Sequence, residues 1–491
     1  MSIHKEELKL DKGRDSREIN FVRKVLLTSI VVSLGSFNQG YNVGAPNNPE
    51  KVIRSCDSPT FSNSFPSCLP MSDLLWGFAI GVFCIGGLIG GIVAGPLADR
   101  YGRKRVIFWN NISFLLGGML MSLSINTEMF ACGRFLVGFG SGVSSVVVPL
   151  YITEISTKQN RGAMGSLVQM QIAVGIVISQ GISLALSYIP GWRILMGLTI
   201  LPAIIQMFLI PFCPETPRYL LSKQQYEEAK QALSECRPGC CVDDEFEEML
   251  DAIKGSHSST RISLTSHVRN VWKQPKLRKM LFIGLVIHAS QTLSCINGVT
   301  LYSTSIMTET TGMRTAQLIT VGIAVFNFFI NCAACTVIDK MGRRPLLLTS
   351  NLLMVVFAIT LVIGDKLTVN ILEIISVILF SASFNIGLAS IPFIIIPELV
   401  PTWAAGVVVS MVTTMNWIGN FLVIFLFPTI LSALQSNTFI LVAGLNFLFL
   451  IHHFYFVPET KGTSIDDISL ASDHKTNVPT NSTSLSCNKT V

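Results

Sequence analysis

Twelve apolar runs of about 20 residues, separated by short charged segments, constrain this chain more than any other feature. A helix rises about 1.5 Å per residue, so each run can cross about 30 Å of hydrocarbon. Inside lipid only helices and closed barrels satisfy their own backbone polar groups. The runs begin near Val25, Leu74, Val106, Met129, Ala163, Ile194, Met280, Thr315, Leu346, Ile371, Ala404 and Thr438. Half of the 491 residues are hydrophobic and 13% are charged, against about 25% charged in soluble domains. The chain therefore reads as an all-α membrane protein with 12 transmembrane helices. The residues before Val25 are polar and no small-residue cleavage site follows the first run, so that run is read as a signal anchor.

Basic residues in short loops favour the cytoplasmic side. Arg100, Arg103, Lys104 and Arg105 share one loop, and Lys158, Arg161, Lys340, Arg343 and Arg344 fall on the same side when spans are counted alternately. Both termini are expected in the cytoplasm of a multi-pass protein, with the plasma membrane as its expected location. The net charge of +6 then belongs to loops near anionic lipid, and no motif or interleaved aromatics point to nucleic acid. Cys56 and Cys68 lie in a long predicted exterior loop that permits a disulfide, with free thiols as the alternative. Cys236, Cys240 and Cys241 lack histidines or a second pair at zinc spacing and read as free thiols, so no metal or cofactor is expected.

Short motifs recur at a nearly constant offset, the mark of parallel repeats in transporters. DRYGR at Asp99 to Arg103 returns as DKMGR at Asp339 to Arg343; PET at Pro214 to Thr216 returns at Pro458 to Thr460, and Glu154 as Glu398. The expected organisation is a cytoplasmic segment over 1–24, a six-helix half over 25–213, a cytoplasmic linker over 214–279, a second half over 280–457 and a tail over 458–491, disordered after about 464. Within the linker, Gln224 to Cys236 and Asp243 to Lys254 have the spacing of short amphipathic helices, with a solvated linker as the alternative.

With GYN at Gly40 to Asn42, GRFLVG at Gly133 to Gly138, PETPR at Pro214 to Arg218, DKMGRR at Asp339 to Arg344 and PETKG at Pro458 to Gly462, the chain resembles the sugar porters of the major facilitator superfamily, specifically the facilitative glucose and fructose transporters of animals. The resemblance covers about residues 20 to 463. It implies the major facilitator fold, two six-helix halves and a cytoplasmic helical insert, and an alternating-access carrier with a mid-membrane hexose site.

Carried over position by position, the resemblance places Gln169, Gln180, Gln291, Asn297, Asn327 and Asn420 at sugar-contacting positions. Gln169 and Gln180 are eleven residues apart, about three turns, so they share a face. Carboxamides both donate and accept, as sugar hydroxyls do; interhelical hydrogen bonding is the structural alternative. Against the family's glucose carriers, Thr292 replaces a glutamine, Asn385 a glutamate and Phe393 a tryptophan. Phe393 can still lie against a sugar ring but has no indole N–H to donate. The expectation is a hexose uniporter, D-glucose first, with fructose or several hexoses as the alternative and a non-transporting sugar receptor as the rival class.

A proton-driven carrier needs a titratable group along the path. Asp73, Asp365 and Glu373 sit at exterior span ends and Asp99, Glu154, Asp339 and Glu398 at cytoplasmic ends, which leaves His288 as the one ionisable residue well inside a span. Asn42 stands where proton-coupled relatives carry aspartate beside the arginine matching Arg134. Passive transport is expected. Charges at cytoplasmic span ends should pair, and the resemblance implies that Arg100, Arg103, Glu154, Arg161, Arg218, Asp339, Arg343, Arg344 and Glu398 form a cytoplasmic gate, with topology signalling by positive charge as the alternative. Glu154 is followed seven residues later by Arg161, but Glu398 by Ala405, which predicts a weaker lock in the second half. Pro392, Pro397 and Gly298 are the expected hinges, with close helix packing as the alternative. No nucleophile with its base and no phosphate loop appears, so the chain does not read as an enzyme.

Overall fold

The computed structural model describes residues 23–54, 61–62, 65–157, 160–237, 242–258, 271–400 and 402–460; within these, the side chains of 161–163, 335–340 and 405–406 and a few others are not described. Arg161, Asp339 and Ala405 are among those side chains, and Cys56, Cys240, Cys241 and the tail after 460 lie outside the described residues altogether.

Twelve helical spans succeed one another along the chain. The first comprises 23–32 and Leu34–Gly44; the second is Asp73–Tyr101, the third Arg103–Ser122, the fourth Thr127–Ile155 and the fifth Arg161–Leu186. The sixth comprises Gly191–Gly197 and Ile200–Leu209. After three short helices, Pro217–Ser222, Tyr226–Cys236 and Asp243–Ser258, the seventh span runs as Pro275–Leu293 and Ile296–Thr311. The eighth is Met313–Met341, the ninth Arg343–Lys366, the tenth Asn370–Ile386 with Ile391–Leu399, the eleventh Thr402–Leu434 and the twelfth Thr438–Phe456. A two-residue hairpin, Phe61–Ser62 against Phe65–Pro66, interrupts the loop after the first span.

Nine stretches among the described residues are long and apolar enough to cross a membrane, and one of them, Val407–Phe456, holds both the eleventh and twelfth spans. The third span falls short because it opens on Arg103, Lys104 and Arg105 and carries Asn110 and Asn111. Both asparagines are buried: Asn110 Nδ2 donates to Gly140 O at 2.9 Å, and Asn111 Nδ2 to Ile107 O at 3.0 Å. Polar groups that defeat a hydropathy window thus serve as hydrogen bonds within the bundle.

Small residues set the closest helix contacts. A Cβ added at Gly138 or Gly142 of the fourth span would overlap the backbone of Phe83 or Gly87 in the second, so the glycine run there is a packing surface. The break in the seventh span lies three residues before the expected hinge at Gly298: Cys295 takes a left-handed conformation (φ 62°) between the two helical parts. Gly298 instead admits the Phe427 ring, 2.6 Å from where its Cβ would be. In the tenth span the break falls at Gly387–Ser390, and Pro392 opens the next helix, where its missing N–H is harmless.

The two sets of six spans meet along the second and eleventh helices. A Cβ at Gly81 would lie 3.3 Å from the Phe421 ring and one at Gly87 would overlap Trp417, whereas one at Gly95 would meet nothing within 4 Å. Contact is therefore close on the side of Asp73 and lost toward the side of Arg103. We call the latter the basic face.

Candidate functional site

At the centre of the second set of spans, four amides form a directed chain. Asn297 donates to Asn420 Oδ1, Asn420 Nδ2 donates to Asn416 Oδ1 at 3.0 Å, and Asn416 Nδ2 donates to Gln291 Oε1 at 2.6 Å. The chain ends where Gln291 Nε2 donates to the carbonyls of Leu388 (2.9 Å) and Ala389 (3.1 Å), at the break in the tenth span. One row of carboxamides therefore ties both parts of the seventh span to the eleventh and the tenth. A helix break makes this possible, because carbonyls at Leu388 and Ala389 are released from an intrahelical ladder.

Other expected contacts group around this row or apart from it. Asn327 Nδ2 donates to Ser381 Oγ at 2.6 Å and Asn385 Nδ2 to Ser381 O at 3.0 Å, so these two meet at one serine. Phe393 is 47% exposed and meets the His288 ring edge-on at 5.0 Å; Asn416 Nδ2 approaches His288 Nδ1 at 3.4 Å. Thr292 is turned back: it is buried, packs on Gly419, and donates to the His288 and Ala289 carbonyls of its own helix. On the fifth span Gln169 is half-buried, while Gln180 is buried with an amide oxygen that has no partner.

His288 is not the only ionisable group inside the spans, which corrects the sequence expectation. Arg134 is 1% exposed and donates to the backbone carbonyls of Asn42 (2.7 Å) and Ile80 (3.4 Å), with Phe83 under its guanidinium. His453 is buried in the twelfth span against Asn351 Nδ2 at 2.9 Å.

On the face opposite the basic one, a polar network bridges the two sets of spans. Asn47 Nδ2 donates to Thr300 O at 2.7 Å and Ser303 Oγ at 2.8 Å, and Thr304 Oγ1 donates to Asn48 Oδ1 at 2.6 Å. Ser305 Oγ donates to Glu50 Oε2 at 2.6 Å. Arg54 holds Glu50 at 3.0 Å and Asp73 at 2.6 Å. Burial pushes the Glu50 carboxyl above the ordinary carboxylate range, with Arg54 pulling the other way. Cys68, nearby in sequence, is disulfide-bonded; its expected partner Cys56 lies outside the described residues.

The basic face repeats one device. Glu215 Oε1 accepts from the backbone N–H groups of Arg103 (3.1 Å) and Lys104 (3.2 Å), the first of the third span. Glu459 accepts from those of Arg343 (3.0 Å) and Arg344 (3.1 Å), the first of the ninth. Each carboxylate caps a helix N-terminus from another part of the chain, where orphan donors and the helix dipole favour negative charge. Gly102 (φ 95°) and Gly342 (φ 90°) make room: a Cβ would overlap the Glu215 carboxylate at one and lie 2.9 Å from the Glu459 carboxylate at the other.

Among the described residues, the ion pairs on this face lie within one half, within the insert, or between the insert and the first span. Arg103 pairs with Glu154 at 3.0 Å and with Asp99 at 3.2 Å, and Arg343 with Glu398 at 3.2 Å. Thr460 Oγ1 donates to Glu398 Oε2 at 2.5 Å, whereas the equivalent Thr216 Oγ1 and Glu154 Oε2 are buried without partners. Arg344 reaches the Phe454 carbonyl at 2.6 Å, and Arg100 and Arg218 are exposed. Arg237 pairs with Glu245 at 2.9 Å and donates to Ile155 O at 2.9 Å, fastening the insert to the fourth span. Burial pushes the Cys236 thiol up to about 11, and no group of three or more metal-binding side chains is placed to hold an ion among the described residues.

Sequence reasoning missed Asn416, which stands one turn before Asn420 and so shares its face. The repeated PET motif marks Glu215 and Glu459 as equivalent but carries no sign of the helix ends they cap. Asn47, Asn48 and Glu50 carry no local signal of this role, because the partners that join them to the other half lie more than 250 residues away.

A family model described as sugar (and other) transporter matches residues 28–471. The chain belongs to this sugar transporter family. Among its relatives, the facilitated glucose transporter member 3 of solute carrier family 2 from Oryctolagus cuniculus is 33% identical over 461 residues, 91% of this chain and 92% of the relative. Member 4 from Homo sapiens is 34% identical over 456 residues, 89% of this chain and 88% of the relative. The fold is that of the xylose transporter XylE from E. coli: its inward open conformation matches with a TM-score of 0.75 at 21% identity, covering 91% of this chain and 99% of that one. The XylE proton:xylose symporter bound to 6-bromo-6-deoxy-D-glucose matches with a TM-score of 0.72. As a member of the sugar transporter family the protein is a multi-pass membrane carrier and not an enzyme.

Proposed function

We propose that this protein is a facilitative hexose carrier working by alternating access, with D-glucose as the first substrate. The row of neutral amides from Asn297 to Gln291 carries this reading. A hexose hydroxyl both donates and accepts, so it can replace any link of the row without leaving a carboxamide unpaired. Each such bond contributes roughly 0.5 to 1.5 kcal/mol, and three to five of them account for millimolar affinity, about 4 kcal/mol. Relatives named as facilitated glucose transporters favour the same substrate class. Asn385 and Phe393, which replace residues usual in glucose carriers, favour a fructose or broader hexose preference as the second reading.

Passive transport is supported by the environment of Arg134, which is held by carbonyls, with Asn42 offering an amide where a proton-coupled carrier needs an acid. In this reading the basic face is cytoplasmic, both termini lie on that side of the plasma membrane, and Cys68 pairs with Cys56 outside. Parting at Gly95 then corresponds to access from the cytoplasm. The pairs Arg103–Glu154 and Arg343–Glu398 exchange partners across the halves, with Arg161 and Asp339, when that side closes. Counterflow of labelled hexose into preloaded vesicles tests the proposal. Transient accumulation is expected; binding without counterflow would make the protein a receptor.

A further inference from the structure

The two halves open on the same pair of cations. Arg23 and Lys24 lead into Val25, Leu26 and Leu27 at the start of the first span, and Arg278 and Lys279 lead into Met280, Leu281 and Phe282 in the first turns of the seventh. In the first half the protein supplies a counter-charge itself, since Lys24 Nζ lies 3.6 Å from Glu235 Oε2 of the insert. In the second half Arg278 and Lys279 are exposed and have no ion pair among the described residues. The sequence holds no Asp or Glu between Asp251 and Glu309.

These two cations border a groove of about 400 Å³ that is also lined by Trp272, Phe282 and Leu285. Arg278, Phe282 and Leu285 follow one another at i, i+4 and i+7, so a charged end gives way to an apolar wall along one helix face. Phe282 is 61% exposed and Trp272 53%, and the His452 ring of the twelfth span backs Phe282 edge-on at 6.4 Å. In a multi-pass membrane protein an exposed phenylalanine inside a span meets acyl chains, and an exposed tryptophan just outside it sits at headgroup level. Charge followed by hydrocarbon is the order of a phospholipid entering the bilayer. A soluble phosphate covers none of the apolar wall, and a zwitterionic lipid brings a cation of its own toward Arg278 and Lys279.

We infer that the groove at the start of the seventh span binds an anionic phospholipid of the leaflet on the basic face, its phosphate held by Arg278 and Lys279 and an acyl chain laid along Phe282 and Leu285. The guanidinium offers a two-pronged donor to phosphate and the ammonium a point charge. At the equivalent place in the first half, Glu235 fills the role of the lipid. Lipid binding here is independent of which substrate the carrier moves.

The full chain, stripped of lipid in detergent, is titrated with dioleoylphosphatidylglycerol or dioleoylphosphatidylcholine, each with and without inorganic phosphate, and adducts are read by native mass spectrometry. Wild type and variants are first matched by size exclusion. The wild type is expected to take its first phosphatidylglycerol at a lower concentration than phosphatidylcholine, with inorganic phosphate making no difference. In the double variant Arg278→Gln, Lys279→Gln that first affinity should fall about five- to thirty-fold, while phosphatidylcholine binds as before. Arg105→Gln with Lys223→Gln removes the same charge from exposed positions elsewhere on the basic face and should leave the first affinity unchanged. Equal binding of the two lipids to the wild type, an equal loss in both double variants, or a preference that survives R278Q/K279Q would overturn the inference. Displacement of the lipid by inorganic phosphate would overturn it as well and make the site one for a soluble anion.

Discussion

Asn416 donates to the Gln291 amide oxygen at 2.6 Å, and Gln291 spends both of its own N–H groups on the broken tenth span. A substrate hydroxyl that accepts from Gln291 must therefore displace Leu388 O or Ala389 O, which couples that contact to the position of the tenth span.

In the proposed sugar site Asn416 acts on the substrate through Gln291. Replacing it with alanine leaves Gln291 Oε1 without its donor, a loss of about 1 kcal/mol. The KM for hexose counterflow in N416A is expected to rise several-fold, with maximal rate and protein yield close to wild type; an unchanged KM contradicts the role.

The capping carboxylates make a matched pair. Glu215→Ala or Glu459→Ala strips two helix-terminal N–H groups of their acceptor, which costs about 1 to 3 kcal/mol. Thermal unfolding in detergent should show a lower Tm for each, and the double variant should fall by about the sum, since the sites lie in different halves. Gly102→Ala adds strain at φ 95° and should lower Tm as well.

Much of this architecture was legible in the sequence, because twelve apolar runs and two repeats of DRYGR-like and PET motifs are local signals. The break at Cys295 was not: the expected hinge, Gly298, is packed against Phe427, and the left-handed residue is an ordinary cysteine. Asn110 and Asn111 lower the hydropathy of the third span while stabilising it. The amides of the seventh and eleventh spans could be named from the sequence, but their order of donation depends on side chains more than 120 residues apart. The same holds for Glu50, whose Ser305 partner comes from the other half.

Glu50 makes that bridge sensitive to pH. Its carboxyl is raised by burial while the bridge is closed, with Arg54 and Asp73 as the charged groups around it. A raised carboxyl favours the closed arrangement fully below the ordinary value of 4.5, and that advantage fades as pH rises through the raised value. Lowering the pH from neutral should reduce labelling of a cysteine placed at Thr300, whose carbonyl alone joins the bridge, by more than the fall in thiolate reactivity that the same cysteine shows in the Glu50→Gln background. An equal pH effect with and without E50Q assigns it elsewhere.

The second half lacks the arginine that follows Glu154 by seven residues, and Glu398 leans on Arg343 and Thr460 instead. Ala405→Arg offers Glu398 a further cation and should strengthen closure of the basic face. Thiol labelling of a cysteine introduced at Gly95, above the native background, should fall in A405R; equal labelling rejects the weak-lock hypothesis.

Hexose uptake into proteoliposomes under an imposed pH gradient separates passive carriage from proton coupling. The internal concentration should level off at the external one, in the same time and to the same extent with either sign of the gradient. Accumulation above the external concentration that follows the proton gradient would make the protein a proton-coupled carrier instead.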